Sequence, residues 1–274
     1  MNNFMIEIET IFQKSSSSET WFCNDTMKAP NRASNFGDGL FETMVWDQTE
    51  IRFFEKHIQR LLGGMQVLGL DTDAIDSSQL LGFLTANYSS QRKRVRWNVC
   101  RAGLGKYTPD SSEVFQLLQI SEYRSAPAVK QVVDVSLKIQ IFPTLWSAFK
   151  SLNALPYVLA NQERKDRGLD EIIMLDHRGY ISEAGASNIF WVRDGIVYTS
   201  ALSCSCINGI SRQVILEHLD RIKIPYTEGE FLISELELAE QVFVSNCTGI
   251  SYLESFRGKK FSTVPLRFLQ LVFD

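Results

Sequence analysis

Phe4, Ile6 and Ile8 alternate with polar residues, the period-two pattern of a strand, and Ser15 to Ser18 read as a polar turn into a short second strand at Trp21 to Cys23. Asn31 to Gly39 reads as a loop whose glycines, Gly37 and Gly39, can take positive φ. Leu40 to Trp46 follows as a strand, and Asp47 to Glu50 turns it back into Ile51 to Phe54. From Glu55 the period becomes 3.6. Ile58, Leu61, Leu62, Met65 and Leu68 share one helical face, with His57 and Arg60 near its edge. Gly63 and Gly64 are poor helix formers, so something is expected to pack closely against that turn. A helix over Gln79 to Tyr88 leads to a strand at Arg94 to Arg101. Period two puts Arg94, Arg96 and Asn98 on one face, and Val95, Trp97, Val99 and Arg101 on the other. Val114 to Ile120 is the next strand.

Ser121 to Val129 reads as a linker. Beyond it Val133, Val135, Leu137, Ile139 and Ile141 alternate as one long strand, and a helix opens near Asn153 with Pro156 tolerated in its first turn. Ile172 to Leu175 is a buried strand, and Asp194-Gly195 is a hairpin turn into Ile196 to Tyr198. A helix runs from Gly209 through Leu219, Ser234 to Glu237 has the form of a capping box, Val242 to Ser245 is a strand, and a last helix begins near Val264. These elements predict an α/β chain of two lobes, 1–121 and 131–274, joined by a linker at 122–130.

Composition narrows the function. Hydrophobic residues make up 45% and charged residues 22%, and the net charge is −4 with both signs interspersed. That balance fits a globular protein and lacks the basic face of a nucleic-acid binder. The five cysteines are scattered, and Cys204-Ser205-Cys206 has no neighbouring histidine to complete a zinc site, so no metal is expected and a reduced, cytoplasmic setting is. The N-terminus lacks a signal-peptide pattern, and no apolar run approaches the roughly 20 residues of a membrane span.

Lys150 stands in mostly apolar sequence just before the helix at Asn153. A lysine amine becomes a useful nucleophile when burial or a nearby cation lowers its pKa, and it then forms Schiff bases with carbonyls, pyridoxal phosphate included. A lysine at the end of an ordinary amphipathic helix looks similar from this stretch alone. Arg101 ends an apolar strand face and enters the loop Ala102 to Tyr107, a suitable place for an anion. Glu183 sits between a short strand and the small-residue run Ala184 to Ser187. Gly209, Ile210 and Ser211 open a helix whose free N–H groups suit a phosphate, and Asn246 to Gly249 is a second turn of that kind.

Five stretches in this order resemble the fold-type IV pyridoxal-phosphate enzymes, the class IV aminotransferase family. They are Phe36-Gly37-Asp38-Gly39-Leu40-Phe41-Glu42-Thr43, Phe54-x-x-His57-x-x-Arg60-Leu61, Lys150 with its helix, Glu183-x-x-x-Ser187-Asn188-Ile189-Phe190, and Asn208-Gly209-Ile210-x-Arg212. The resemblance runs from about Asn31 to Gly249. It implies a small N-terminal α/β lobe and a larger C-terminal lobe with pyridoxal 5′-phosphate between them, in a homodimer whose active sites border the partner subunit. It implies that Lys150 holds the cofactor and later moves protons, and that Glu183 keeps the pyridine nitrogen protonated. Arg60 is then the phosphate ligand, helped by Gly209, Ile210 and Ser211 and by Cys247 and Thr248, with Asn188 also in the cofactor set. The family often has a threonine where Cys247 stands, with Thr248 as the available hydroxyl.

Three features separate the branches of the family. Branched-chain aminotransferases carry a tyrosine five residues after the lysine, where this chain has Leu155. D-amino-acid aminotransferases carry an Arg-x-His pair after the strand that ends at Arg101, where this chain has Gly103-Leu104-Gly105-Lys106-Tyr107-Thr108-Pro109. That loop looks like the one in aminodeoxychorismate lyase, with Ala102 and Lys106 as departures. The resemblance therefore favours a lyase acting on 4-amino-4-deoxychorismate, with Arg101 and Lys106 binding a substrate carboxylate and Arg96 competing for that role. A branched-chain or D-amino-acid aminotransferase is the alternative, and a non-catalytic relative a third.

Overall fold

The computed structural model describes residues 10–15, 20–23, 31–270 and 272–273. The strand expected at Phe4 to Ile8, and Ser16 to Ser18 of the turn after it, lie outside the described residues. The chain divides into two compact units, Met1–Arg124 with Phe149–Asn153, and Ser125–Ala148 with Ala154–Asp274. Lys150, placed by the sequence in the second lobe, packs with the first.

The first unit is a five-stranded antiparallel sheet with helices packed against it. Its strands are β1 (Thr10–Ser15), β2 (Phe22–Cys23), β3 (Gly39–Asp47), β4 (Arg92–Arg101) and β5 (Val114–Glu122), in the order β2-β1-β5-β4-β3. The expected hairpin partner of Trp21 to Cys23 is thus Thr10–Ser15, with Phe12 opposite Cys23. Alternation on β4 works as read. Val95, Trp97 and Val99 enter the core with Met44 and Trp46 of β3, and with Leu61 and Met65 of α2 (Phe54–Leu68) and Leu80 and Leu84 of α3 (Ser77–Tyr88). Full burial of each such side chain is worth about 1.5–3 kcal/mol.

Two local expectations fail here for physical reasons. Asn31 to Gly39 contains a short helix, α1 (Arg32–Phe36), because Asn31 and Ser34 form a reciprocal capping box and Gly37 ends the turn at φ 64°. Ile51 to Phe54 is not a strand. Ile51 makes a single bridge to Trp46, Phe53 takes φ 54°, and Phe54 already belongs to α2, with Ile51 and Phe54 packed in the core.

The second unit holds a sheet in the order β11-β10-β9-β12-β13-β6-β7-β8, with β14 paired to β13. The strands are β6 (Val129–Ile141), β7 (Glu171–Asp176), β8 (Ile181–Ala184), β9 (Asn188–Arg193), β10 (Ile196–Ser200), β11 (Tyr226–Gly229), β12 (Gln241–Asn246), β13 (Gly249–Phe256) and β14 (Lys259–Lys260). Both faces of β9 are covered. Ile189 and Trp191 join one core with Ile173, Val244 and Leu253, while Phe190 and Val192 join another with Phe243 and with Ile215 and Leu219 of α5 (Ile210–Ile222). That is why this strand reads as a continuous apolar run.

β6 departs from simple alternation. Its register against β7 shifts between Val135 and Gln140, and Leu137 is exposed. Glu163 of α4 (Leu155–Asp166) fills the break, accepting from Leu137 N–H at 2.8 Å and Ser136 Oγ at 2.7 Å. Ser234 caps nothing. Ile233–Leu238 is a 3₁₀ segment preceded by Leu232, and the helix expected at Val264 is a single 3₁₀ turn at Arg267–Leu269. No helix among the described residues is long and apolar enough to cross a membrane.

Candidate active site

Lys150 is held by backbone pairing to the edge of β3. Phe41 N–H donates to the Lys150 carbonyl at 2.8 Å, Leu152 N–H donates to the Gly39 carbonyl at 2.9 Å, and Leu40 bridges Ser151. Phe149 anchors the same segment on α2. A Cβ at Gly63 would lie 3.1 Å from its ring, and one at Gly64 would lie 2.8 Å from Leu40 Cδ1 and 3.2 Å from Phe149. The two helix glycines are therefore there to admit Phe149 and Leu40. Lys150 Nζ lies 4.6 Å from the centre of the Phe41 ring.

On the same unit, Arg60 is buried in a cluster that the sequence did not identify. Its Nε donates to Glu42 Oε1 at 2.8 Å and its Nη2 to Oε2 at 2.6 Å, while His57 Nδ1 lies 2.7 Å from Oε2. One edge of the guanidinium is thus taken by a carboxylate. Burial alone would raise the Glu42 carboxyl, but Arg60 and the His57 hydrogen bond hold it down to about 2. Burial pushes His57 below its usual value despite the pull of Glu42, and Arg60 and Lys150 add to the shift. The spacing His57-x-x-Arg60, with Glu42 on the preceding strand, was the available signal; the sheet brings the three together.

The arginines of β4 divide. Arg101, expected to bind a substrate carboxylate, is engaged by the protein in this structure. Four of its five donors go to the protein: Nε to Asp38 Oδ2 at 3.0 Å, Nη1 to the Gly69 and Ser111 carbonyls, and Nη2 to the Leu68 carbonyl. Asp38 also accepts from Arg32 Nε at 2.7 Å, and Arg32 Nη1 holds the carbonyls of Leu104 and Lys106. Arg32 and Arg101 are therefore fasteners for the loop at 102–113. The Lys106 side chain is exposed in that loop, and its carbonyl is the atom Arg32 holds. Arg96 lies on the other face, as period two predicted, with its guanidinium 3.8 Å from the centre of the Phe41 ring and Nε 3.0 Å from Asn98 Oδ1. Arg96 and Lys150 thus lie against the same aromatic ring.

In the second unit Glu183, 3% exposed on β8, accepts at Oε1 from Tyr157 Oη at 2.6 Å and from Ile207 N–H at 3.1 Å. Burial and the Glu183 charge push the Tyr157 hydroxyl well above its usual value, so it remains a donor. Asn188 Nδ2 donates to the Ile207 carbonyl at 2.8 Å, fixing the loop that enters α5. Gly209 is the residue before this helix, and no side chain caps it. A Cβ at Gly209 would fall 2.0 Å from Asn188 Oδ1. Ser211 Oγ meets Ser245 Oγ at 3.1 Å. Next to Ser245, Asn246 Oδ1 accepts from both the N–H and the hydroxyl of Thr248, at 2.9 and 2.7 Å. The Thr248 hydroxyl proton is thus committed to Asn246 and does not simply replace the hydroxyl that Cys247 lacks.

These residues suit a phosphorylated pyridine. A 13-residue helix with an uncapped start and a bare glycine before it offers backbone N–H groups to an anion, and a buried, doubly hydrogen-bonded carboxylate suits a protonated ring nitrogen. The comparisons with known proteins agree. The family described as amino-transferase class IV matches residues 39–251. A D-alanine aminotransferase of Listeria monocytogenes is 27% identical over 81% of this chain and 79% of its own, and an aminodeoxychorismate lyase of Vibrio harveyi is 24% identical over 79% and 82%. Among solved structures, the 4-amino-4-deoxychorismate lyase of Pseudomonas aeruginosa superposes with a TM-score of 0.79 at 27% identity, covering 88% of this chain and 92% of its own. The Escherichia coli branched-chain amino acid aminotransferase reaches 0.82 at 22% identity over 93% and 88%, a likeness of fold. The chain belongs to the class IV aminotransferases, the fold-type IV enzymes that depend on pyridoxal 5′-phosphate.

Proposed function

We propose that this chain is a 4-amino-4-deoxychorismate lyase, releasing pyruvate and 4-aminobenzoate. The observation that carries the reading is the loop at 102–113. It has the lyase-like sequence, and Arg32 and Arg101 hold its backbone in one shape through Asp38. Leu155, where branched-chain enzymes have a tyrosine, supports it as well.

Pyridoxal 5′-phosphate, when bound, supplies an electron sink for bonds broken at the amine-bearing carbon. Lys150 Nζ holds the cofactor, takes the proton from that carbon, and returns one to the departing three-carbon enol, which becomes pyruvate. Glu183 holds the proton on the ring nitrogen. Arg60 binds phosphate, as do the N–H groups at Ile210 and Ser211 and the turn at Cys247 and Thr248, with Gly209 giving close approach and Asn188 fixing the loop. Arg96 takes the substrate carboxylate beside Lys150, with the backbone around Lys106 shaping the pocket wall. Loss of the carbon–oxygen bond to the enolpyruvyl group leaves an aromatic ring, which makes elimination strongly favourable. The protein acts as a homodimer in the cytoplasm.

The second reading, an aminotransferase, draws on the D-alanine aminotransferase likeness and on an Arg96 that suits an amino-acid carboxylate equally well. It uses the same Lys150 for proton transfer and requires release of a keto acid. The deciding experiment gives cofactor-loaded protein 4-amino-4-deoxychorismate and follows pyruvate and 4-aminobenzoate together. Equimolar release, lost in Lys150→Ala, supports the lyase. No release from a protein that binds the cofactor overturns it in favour of transamination, to be screened with amino donors and keto acids. A protein that takes up no cofactor is a non-catalytic relative.

A further inference from the structure

We infer that Tyr157 is a positioning residue for the cofactor's ring, acting through Glu183; the inference rests on the role proposed above for Glu183. Tyr157 lies in the first turn of α4, seven residues after Lys150, in a stretch that marks the family but with no role of its own assigned above. Its hydroxyl donates to Glu183 Oε1 at 2.6 Å, and the Ile207 N–H reaches the same oxygen at 3.1 Å. With Oε1 held by two donors, one on α4 and one in the loop before α5, the carboxylate is restrained from turning. Hydrogen bonds of this kind strengthen with negative charge on the accepting oxygen, so both also favour the ionised form that a protonated ring nitrogen needs.

The geometry has a second consequence. Ile207 is also the residue whose carbonyl Asn188 holds, and Gly209 follows two residues later at the start of α5. Tyr157, Glu183, Ile207 and Asn188 form one chain of hydrogen bonds from the carboxylate to the anion-binding helix start. The Tyr157 hydroxyl can be removed without changing the backbone or the charge.

The test measures pyridoxal 5′-phosphate affinity by equilibrium titration, independent of turnover, for the full-length wild type, Tyr157→Phe, Glu183→Gln and the double variant. Loss of a hydrogen bond to a charged group predicts affinity lower by roughly tenfold in Tyr157→Phe. The same substitution made in Glu183→Gln should change affinity less than about twofold, because the charge through which Tyr157 acts is gone. Equal losses in both backgrounds mean a purely structural Tyr157 and overturn the inference. Normal affinity in Tyr157→Phe with weak affinity in Glu183→Gln overturns it while sparing the role of Glu183. Normal affinity in Glu183→Gln removes both. Should Tyr157→Phe fail to fold, 3-fluorotyrosine placed at 157 keeps the shape and the hydroxyl. Its ¹⁹F resonance should move on cofactor addition in the wild-type background and not in Glu183→Gln, and a resonance unmoved in both overturns the inference.

Discussion

Arg60 and Glu42 face each other along two parallel hydrogen bonds, Nε to Oε1 at 2.8 Å and Nη2 to Oε2 at 2.6 Å, with both side chains buried. A guanidinium used in this way supports the fold before it supports a cofactor. Arg60→Ala strands the Glu42 carboxylate in the interior, a change that costs about 3–5 kcal/mol when one partner of a buried pair is removed. Denaturant melts of the cofactor-free protein should show a loss of that order, together with weaker pyridoxal 5′-phosphate binding. An unchanged melting midpoint would contradict the pairing.

The same cluster sets an acid limit on stability. Glu42 titrates near 2 in the folded chain against an ordinary 4.5, so the unfolded chain takes up that proton first as the pH falls. Its contribution is complete above about 4.5 and is lost between there and about 2, on the order of 3 kcal/mol in all. His57 is also held below its ordinary 6.5, so stability should begin to fall once the pH drops below that value. Urea midpoints at about pH 7.5 and about pH 5 measure this first loss, which should shrink in His57→Gln.

Arg101 and Arg96 should separate cleanly. Arg101→Ala removes the fastener shared by Asp38 and the carbonyls of Leu68, Gly69 and Ser111. It should destabilise the fold by about 2–4 kcal/mol and speed amide exchange at 102–113. Arg96→Ala, which loses the contacts with the Phe41 ring and Asn98 among others, should cost less stability than Arg101→Ala and should instead raise KM at least about tenfold. Exchange mass spectrometry and steady-state kinetics on the pair test the division; equal effects on stability would refute it.

Gly209→Ala places a methyl 2.0 Å from Asn188 Oδ1, where the side chain is tied to the Ile207 carbonyl. Either Asn188 releases Ile207 or α5 moves at its start. Cofactor affinity should fall by roughly tenfold or more while the far-ultraviolet spectrum stays unchanged, because the substitution removes no core side chain. Unaltered affinity would argue against a phosphate at this helix.

Which residues became strands and helices was largely legible. Period two placed Val95, Trp97 and Val99 in the core and Arg96 opposite them, and period 3.6 placed Leu61 and Met65 there as well. The failures came where a local pattern yielded to packing: Ile51 to Phe54 look like a strand but feed the face of α2, and Leu137 alternates in sequence yet lies exposed at a register shift filled by Glu163.

The sequence by itself determined the family and its set of chemical groups, because those are written in residue identities and spacings: Lys150 with its helix, Glu183 with Ser187-Asn188, and Asn208-Gly209-Ile210. Tertiary structure alone decided what each group does with its hydrogen bonds. It tied Arg101 to Asp38, Arg60 to Glu42 and the Tyr157 hydroxyl to Glu183. A side chain's type fixes how many donors it has, but only neighbours distant in sequence decide which acceptors use them once burial has removed water as the alternative.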